Sequence, residues 1–289
     1  MNNAESAVLV GEQFDPANGE VSLNSAEVLI PSFMNAYTGS SITDDELIPG
    51  LRKLLPNWRV SFDGLSRLPF IKDHFKSVNL THVYSCKYNI GSFSSYSSFV
   101  GVEGDYGFIS DVTTGLPMPS SCYDISSVSI TENFNPLIRV DATLNNSLSL
   151  STEYRTGRTE TMNVSSAQVI SSHNGTIAFG VGYKISDFDV ILRLNNDKEQ
   201  KVSNDLTLRF DVSKSNTSAI IRKLAEDEMA QATSGEESYS AQFTAEYVFS
   251  SRLNVKFYYD YQSSTPLISS SYPTSNHNFG FSLKLLLTR

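Results

Sequence analysis

The sequence predicts an all-β protein: an antiparallel transmembrane β-barrel segment of about eleven strands that is part of a much larger barrel. Three observations predict it. From residue 57 onward, apolar and polar residues alternate with a period of two, the spacing at which successive side chains point to opposite faces of a sheet. The connections between these runs sort into short turns and long polar loops, as they do in outer-membrane barrels. The composition agrees, because 14 Tyr and 17 Phe beside a single Trp, with only 18% charged residues, favour strands and polar loops over helices.

Residues 1–56 carry no sustained alternation and read as a loop or cap segment. Within it, 21–34 has the composition of a short strand or helix, and Asp44, Asp45 and Glu46 open a polar turn. The barrel strands occupy 57–289. In the first, Trp58, Val60 and Phe62 alternate with Arg59, Ser61 and Asp63. The second places Val78, Leu80, His82, Tyr84, Cys86, Tyr88 and Ile90 on one face, with Val83 out of phase. A third runs over 128–144, interrupted by Glu132 and bulged at Pro136, which has no N–H for a ladder. Asn145-Asn146 is a tight-turn pair, after which Leu148, Leu150, Thr152 and Tyr154 oppose Ser149, Ser151, Glu153 and Arg155. Further strands are expected over 176–183, 188–194, 205–212, 217–224, 239–247, 253–261 and 279–287.

Tight turns at 145–146, 186–187, 213–216 and 250–251 interleave with long loops near 91–127, 167–174, 195–203, 225–236 and 262–275. Short turns then mark the periplasmic side and long loops the extracellular side. An odd number of strands leaves two unpaired edges, which lipid penalises. Met1 to Glu5 also lack the basic and apolar regions of a secretory signal. Together these lead to the expectation of a piece cut from a larger wall.

Chemistry is sparse. A net charge of -9, without a cluster of Lys and Arg, argues against nucleic-acid binding. His74, His82, His173 and His277 lie far apart and match no metal-ligand spacing. Gly180 and Gly182 fall on the inward parity of a strand with no helix after them, so they read as a close approach of a plug or neighbour rather than a phosphate loop. No catalytic, cofactor or metal residues are predicted. Cys86 and Cys122 are compatible with one disulfide or with two free thiols. Arg139, Asp141, Glu153, Arg155, Arg209, Asp211, Glu246, Lys256 and Asp260 fall on the inward parity, where a hydrated lumen tolerates charge and lipid does not. Their mixed signs suit the passage or shelter of polypeptide better than selection of one ion, although a solvated sheet face accounts for the same residues. Tyr258-Tyr259-Asp260-Tyr261 fits an interfacial aromatic girdle or ordinary β composition.

Several short blocks carry a family resemblance. They are Ile30-Pro31-Ser32-Phe33-Met34-Asn35-Ala36-Tyr37-Thr38-Gly39, the run from Leu55 to Ser66, Phe75-Lys76-Ser77-Val78 with Thr81-His82, Asn133-Phe134-Asn135-Pro136-Leu137, and Ile268 to Asn276 leading into Asn278-Phe279-Gly280-Phe281. Spread from about residue 28 to the C-terminus, they resemble the C-terminal region of the SprA (Sov) family, the outer-membrane translocon of the type IX secretion system in Bacteroidota. The resemblance implies location in the cell outer membrane, in a very large single-chain barrel that conducts folded cargo bearing C-terminal sorting domains. It also implies a PorV-type barrel partner, a plug protein, contact with outer-membrane lipid and, in some members, support of gliding motility. No catalytic residues carry over. The chain departs from the family in its length, far shorter than the family's members, and in ending on Leu287-Thr288-Arg289 without a terminal aromatic. The competing readings are a self-contained small porin or barrel enzyme, which needs an even strand count and an export signal, and a soluble β-sandwich.

Overall fold

A computed structural model describes residues 23, 25–39, 56–103, 106–194, 198–224, 230–250, 252–268 and 271–286. The chain is all-β. Its strands are β1 (Trp58–Phe62), β2 (Phe75–Ser95), β3 (Val100–Glu103), β4 (Tyr106–Ser110), β5 (Pro117–Ser121), β6 (Tyr123–Leu144), β7 (Leu148–Asn163), β8 (Gln168–Leu194), β9 (Lys198–Lys223), β10 (Gln231–Val248), β11 (Leu253–Pro266) and β12 (Thr274–Leu285). Nine of them form one sheet in the order β1-β2-β6-β7-β8-β9-β10-β11-β12, and β3, β4 and β5 form a small second sheet within the β2–β6 connection. Every pairing is antiparallel. Among the described residues no pairing joins β1 to β12, so the sheet is open at both edges.

The nine strands correct the expected eleven. Ser186-Asp187 is a bulge inside β8, with Asp187 at φ 55° and a register shift between Ile185 and Phe188, and 213–216 is uninterrupted β9. Both were expected as turns because Ser, Asp and Asn cluster there. A strand that is polar on both faces loses its alternation and imitates a loop in composition. The loop expected at 167–174 is likewise mostly strand, since β8 begins at Gln168 after a tight turn in which the Ala167 N–H donates to the Val164 carbonyl at 3.1 Å. That turn lies at the end of the sheet expected to carry only long loops, so the sorting of connections is less regular than the sequence suggests. The turn at Asn145-Asn146 is present, with Ser147 at φ 68°. The bulge expected at Pro136 falls where the β6–β7 register shifts between Phe134 and Ile138.

Helix α1 (Ala26–Thr38) occupies the segment read as a short strand or helix. It ends at Gly39, whose φ of 68° is the left-handed conformation glycine adopts without a Cβ penalty, and whose N–H donates to the Asn35 carbonyl at 2.8 Å. The polar turn expected at Asp44 to Glu46 lies outside the described residues. A 3-10 turn (Gly64–Arg67) and a four-residue helix α2 (Pro69–Lys72) fill the β1–β2 connection.

The pairing register divides the main sheet into two faces with opposite characters. On one, Leu148, Tyr183, Leu208, Ala245, Phe257 and Phe281 share a transverse row, followed by Leu150, Val181, Phe210, Phe243, Tyr259 and Phe279. Phe279, Phe281 and Leu283 are 72%, 75% and 71% exposed. This apolar band ends at the row Tyr154, Ile177, Lys214 and Tyr239. From Leu206 to Lys214 it occupies about 26 Å of β9 at roughly 3.3 Å per residue. The 27-residue β8 and the 26-residue β9 continue well past it.

Beyond the band the same face becomes polar and then apolar again, and there α1 covers it. Val28, Leu29, Ile30, Phe33 and Met34 pack on Ile125, Val128, Ile130, Met162 and Ala167 in a buried cluster. Each of these side chains except Ala167 contributes on the order of 1.5–3 kcal/mol through burial. Thus α1 shields the apolar residues that lie outside the band, while the band itself is uncovered.

Candidate functional site

Opposite the band, the other face of the sheet is polar, and beyond the band Ile170 and Ile221 interrupt it as register partners. In one transverse row it presents Asp141, Ser151, Gly180, Asp211, Gln242, Asp260 and Asn278, and its neighbouring rows are rich in Ser, Thr, Asn and Gly. All nine charged residues expected on the inward parity lie on this face. Six of them are bonded to one another. The Arg139 Nε lies 2.7 Å from the Asp141 Oδ2 and its Nη1 lies 3.1 Å from the Glu153 Oε2; Glu153 in turn holds the Arg155 Nε at 3.0 Å. On β9 the Arg209 Nε meets the Asp211 Oδ2 at 2.6 Å. The other three are placed on the same face without joining that group: Glu246 and Lys256 are register partners, Glu246 accepts from the Asn254 amide, and Asp260 accepts from the Gln242 Nε2 at 2.7 Å.

Gly180 lies between the two bonded groups. A Cβ there would sit 2.4 Å from the Asp211 Oδ1 and 2.5 Å from the Ser151 Oγ, so the missing side chain is the space into which the Asp211 carboxylate settles. The close approach expected at this glycine is therefore made by the adjacent strands. Tyr258 leans across Gly280 in the same way, its hydroxyl 2.7 Å from where a Cβ would be. Of the Tyr258 to Tyr261 cluster, Tyr259 and Tyr261 lie on the apolar face and Tyr258 and Asp260 on the polar one.

A second constellation was not identified in the sequence. On the apolar face, two rows past the end of the band, the Tyr84 hydroxyl donates to the Glu132 Oε1 at 2.7 Å, and Arg158 from β7 is ion-paired with the other carboxylate oxygen. The Arg158 guanidinium stands 5.3 Å over the ring of Tyr37 in the last turn of α1, and the Tyr37 hydroxyl lies 3.8 Å from the Cys86 sulfur. Burial alone would raise the Glu132 carboxyl, but the Tyr84 hydroxyl and Arg158 outweigh it and hold the group below its ordinary 4.5. At the other end of α1 the Glu27 Oε1 accepts from the Ser121 N–H at 2.9 Å, tying the helix to the small sheet. The sequence signal was present: Glu132 interrupts an apolar parity, and a half-buried charge needs a partner.

Four of the five short blocks that carry the family resemblance meet around this constellation, while the last, ending in Asn278 to Phe281, lies on β12 at the far edge of the sheet. Trp58 stacks on Tyr84 at 4.3 Å, Tyr84 and His82 contact Phe134 at 4.9 and 5.8 Å, the His82 Nδ1 lies 2.6 Å from the Leu137 carbonyl, and Tyr37 comes from α1. A cavity of about 520 Å3 lies beside it between α1 and the sheet, lined by Phe33, Tyr37, Met162, Ile220 and Arg222 among others.

Among the described residues no group of three or more His, Cys, Asp and Glu side chains could hold a metal ion. His82 and the His277 Nδ1, 2.8 Å from the Tyr259 hydroxyl, are engaged in packing contacts. Cys86 and Cys122 are free thiols. No helix is long and apolar enough to cross a membrane, which leaves crossing by strands open. No protein-family model and no curated protein matches this chain.

Proposed function

We propose that the chain forms a section of wall in an outer-membrane β-barrel that conducts polypeptide, the translocon of a type IX secretion system. The observation that carries this reading is the division of one nine-stranded sheet into an exposed apolar band on one face and, opposite that band, a polar surface on the other. A strand tilted by about 40° turns that length into a band about 20 Å tall, comparable with the roughly 25 Å of outer-membrane barrels. A soluble sandwich buries its apolar face against a second sheet, whereas here Phe279, Phe281 and Leu283 stay open. The open edges at β1 and β12 suit a wall that continues into further strands, and transport asks for a shaped passage rather than reacting groups.

The resemblance supplies the system. Protein partners, cargo with C-terminal sorting domains and a role in gliding motility belong to the same proposal and rest on the resemblance alone. The self-contained porin is disfavoured because the nine strands of the described residues cannot close first to last with an all-antiparallel ladder. Deleting the gene in the bacterium that makes the protein tests the function. Cargo with C-terminal sorting domains is then expected to accumulate in the periplasm and vanish from the medium. Undiminished secretion in the deletion strain rules the translocon role out.

A further inference from the structure

The six bonded charges of the polar face sum to zero, and we infer that they form a self-neutralising collar that lets hydrophilic polypeptide surfaces of either charge sign pass without being held. The inference rests on the pore reading and names the class of cargo that the wall accepts.

Three arginines and three carboxylates take part. The pattern is written into single strands: Arg139-Val140-Asp141 on β6, Glu153-Tyr154-Arg155 on β7 and Arg209-Phe210-Asp211 on β9. In each triplet the opposite charges stand two residues apart, which puts both on the polar face, and the residue between them points into the apolar band. Each of the three strands is therefore neutral over this stretch by itself, whatever its neighbours carry. The pairs are also geometrically closed. Arg139 reaches Asp141 at 2.7 Å and Glu153 at 3.1 Å, Arg155 reaches Glu153 at 3.0 Å, and Arg209 reaches Asp211 at 2.6 Å.

Between β7 and β9, β8 contributes Gly180, and the space it leaves lets the Asp211 carboxylate lie against the sheet instead of standing out from it. From β6 to β9 the collar crosses three strand spacings, about 14 Å. An arginine on such a wall without its carboxylate would hold acidic surfaces, and a bare carboxylate would hold basic ones. Elsewhere the face carries the Lys184–Asp205 ion pair and Glu246, Lys256 and Asp260, set among Ser, Thr, Asn and Gly, which hydrate well and bind side chains weakly.

The test uses the complete complex purified from its native membrane and placed in planar bilayers under a potassium chloride gradient. The wild-type pore is expected to pass potassium and chloride with nearly equal permeability. Asp141→Asn with Asp211→Asn should raise the chloride preference on the order of threefold, and Arg139→Gln with Arg209→Gln should shift it as far toward potassium. A swapped pair, Arg209→Asp with Asp211→Arg, keeps the sum at zero and should restore the wild-type ratio. A wild-type pore that prefers one ion tenfold, variants that leave the ratio unchanged, or a swap that moves it as far as the neutralised pair overturns the collar while the pore reading stands. A complex that never conducts overturns the pore reading and the collar with it.

Discussion

Glu132 occupies a position whose parity is apolar, and its partners explain how the fold tolerates it there. Its carboxylate takes the Tyr84 hydroxyl and the Arg158 guanidinium, and Arg158 rests on the ring of Tyr37. Removing the charge by Glu132→Gln is expected to destabilise the docked helix by about 1–2 kcal/mol, since Arg158 is half exposed and its ion pair is screened. The sign of the pH dependence follows from the direction of the shift. A carboxyl held below its ordinary 4.5 contributes stability that is complete above that value and is lost as the pH falls through its value in the folded chain. Trp58 is the sole tryptophan and stacks on Tyr84, so its fluorescence reports this site directly. Wild type should show an emission change as the pH drops below 4.5, and Glu132→Gln should show none there. An identical transition in both proteins would place the titrating group elsewhere. At this scale the placing of the nine charges on one face was legible, because each interrupts no alternation and only its parity is needed to place it. The bonds among them were not, since i and i+2 pairing on one strand is visible in sequence while the reach of Arg139 to Glu153 depends on the β6–β7 register. Glu132 was visible as an exception, but its partner Arg158 required that register too.

Strand boundaries illustrate what the sequence conveys at the level of elements. Where one face meets the apolar band, as in β12 from Phe279 to Leu285, alternation marks the strand residue by residue. Around the end of the band β9 presents Ser213, Lys214, Ser215 and Asn216, and past it β8 presents Ser171, Ser172, His173 and Asn174, so these stretches carry the composition of loops while pairing in an unbroken ladder. Periodicity reports a difference between faces, and it vanishes when the faces are alike. The segment holding α1 had the opposite ambiguity. It is apolar almost all round, and residues 27–35 are buried, so neither a period of two nor one of 3.6 stands out. Its packing implies a strong dependence on one ring. Phe33→Ala is expected to cost about 3 kcal/mol as the cavity it leaves collapses only in part. Hydrogen exchange should then speed up in α1 and at the covered ends of β6 and β7, while β10 and β11, which add no residue to the buried cluster under the helix, keep their protection. Uniform loss of protection across the sheet would mean that α1 is part of a single cooperative core rather than a separate cover.

At the scale of the whole molecule, the proposed setting and the open topology constrain each other. Within the band β12 runs from Phe279 to Leu285, and as an edge strand it turns the N–H and C=O of about half of those residues away from β11. With no water in hydrocarbon, each unpaired group costs several kcal/mol, so the edge alone costs on the order of 20 kcal/mol. That exceeds the 5–15 kcal/mol by which domains are typically stable. The side chains impose a separate requirement. Phe281→Arg would set a charge on the lipid side, at about 2–4 kcal/mol if the row lies near the bilayer centre, whereas Ser282→Arg on the polar face should be tolerated. Comparing the amount of each variant that reaches the outer membrane checks the assignment of faces, and equal loss for both would undo it. The edge argument leads to a sharper expectation. Refolded by itself in detergent and added to a planar bilayer, the nine-stranded sheet should give no discrete conductance steps, because among the described residues neither β1 nor β12 has a second partner to cover its outer ladder. Steps of one reproducible size from the isolated chain would show that the two edges find partners without further strands, and the wall would then be complete as it stands.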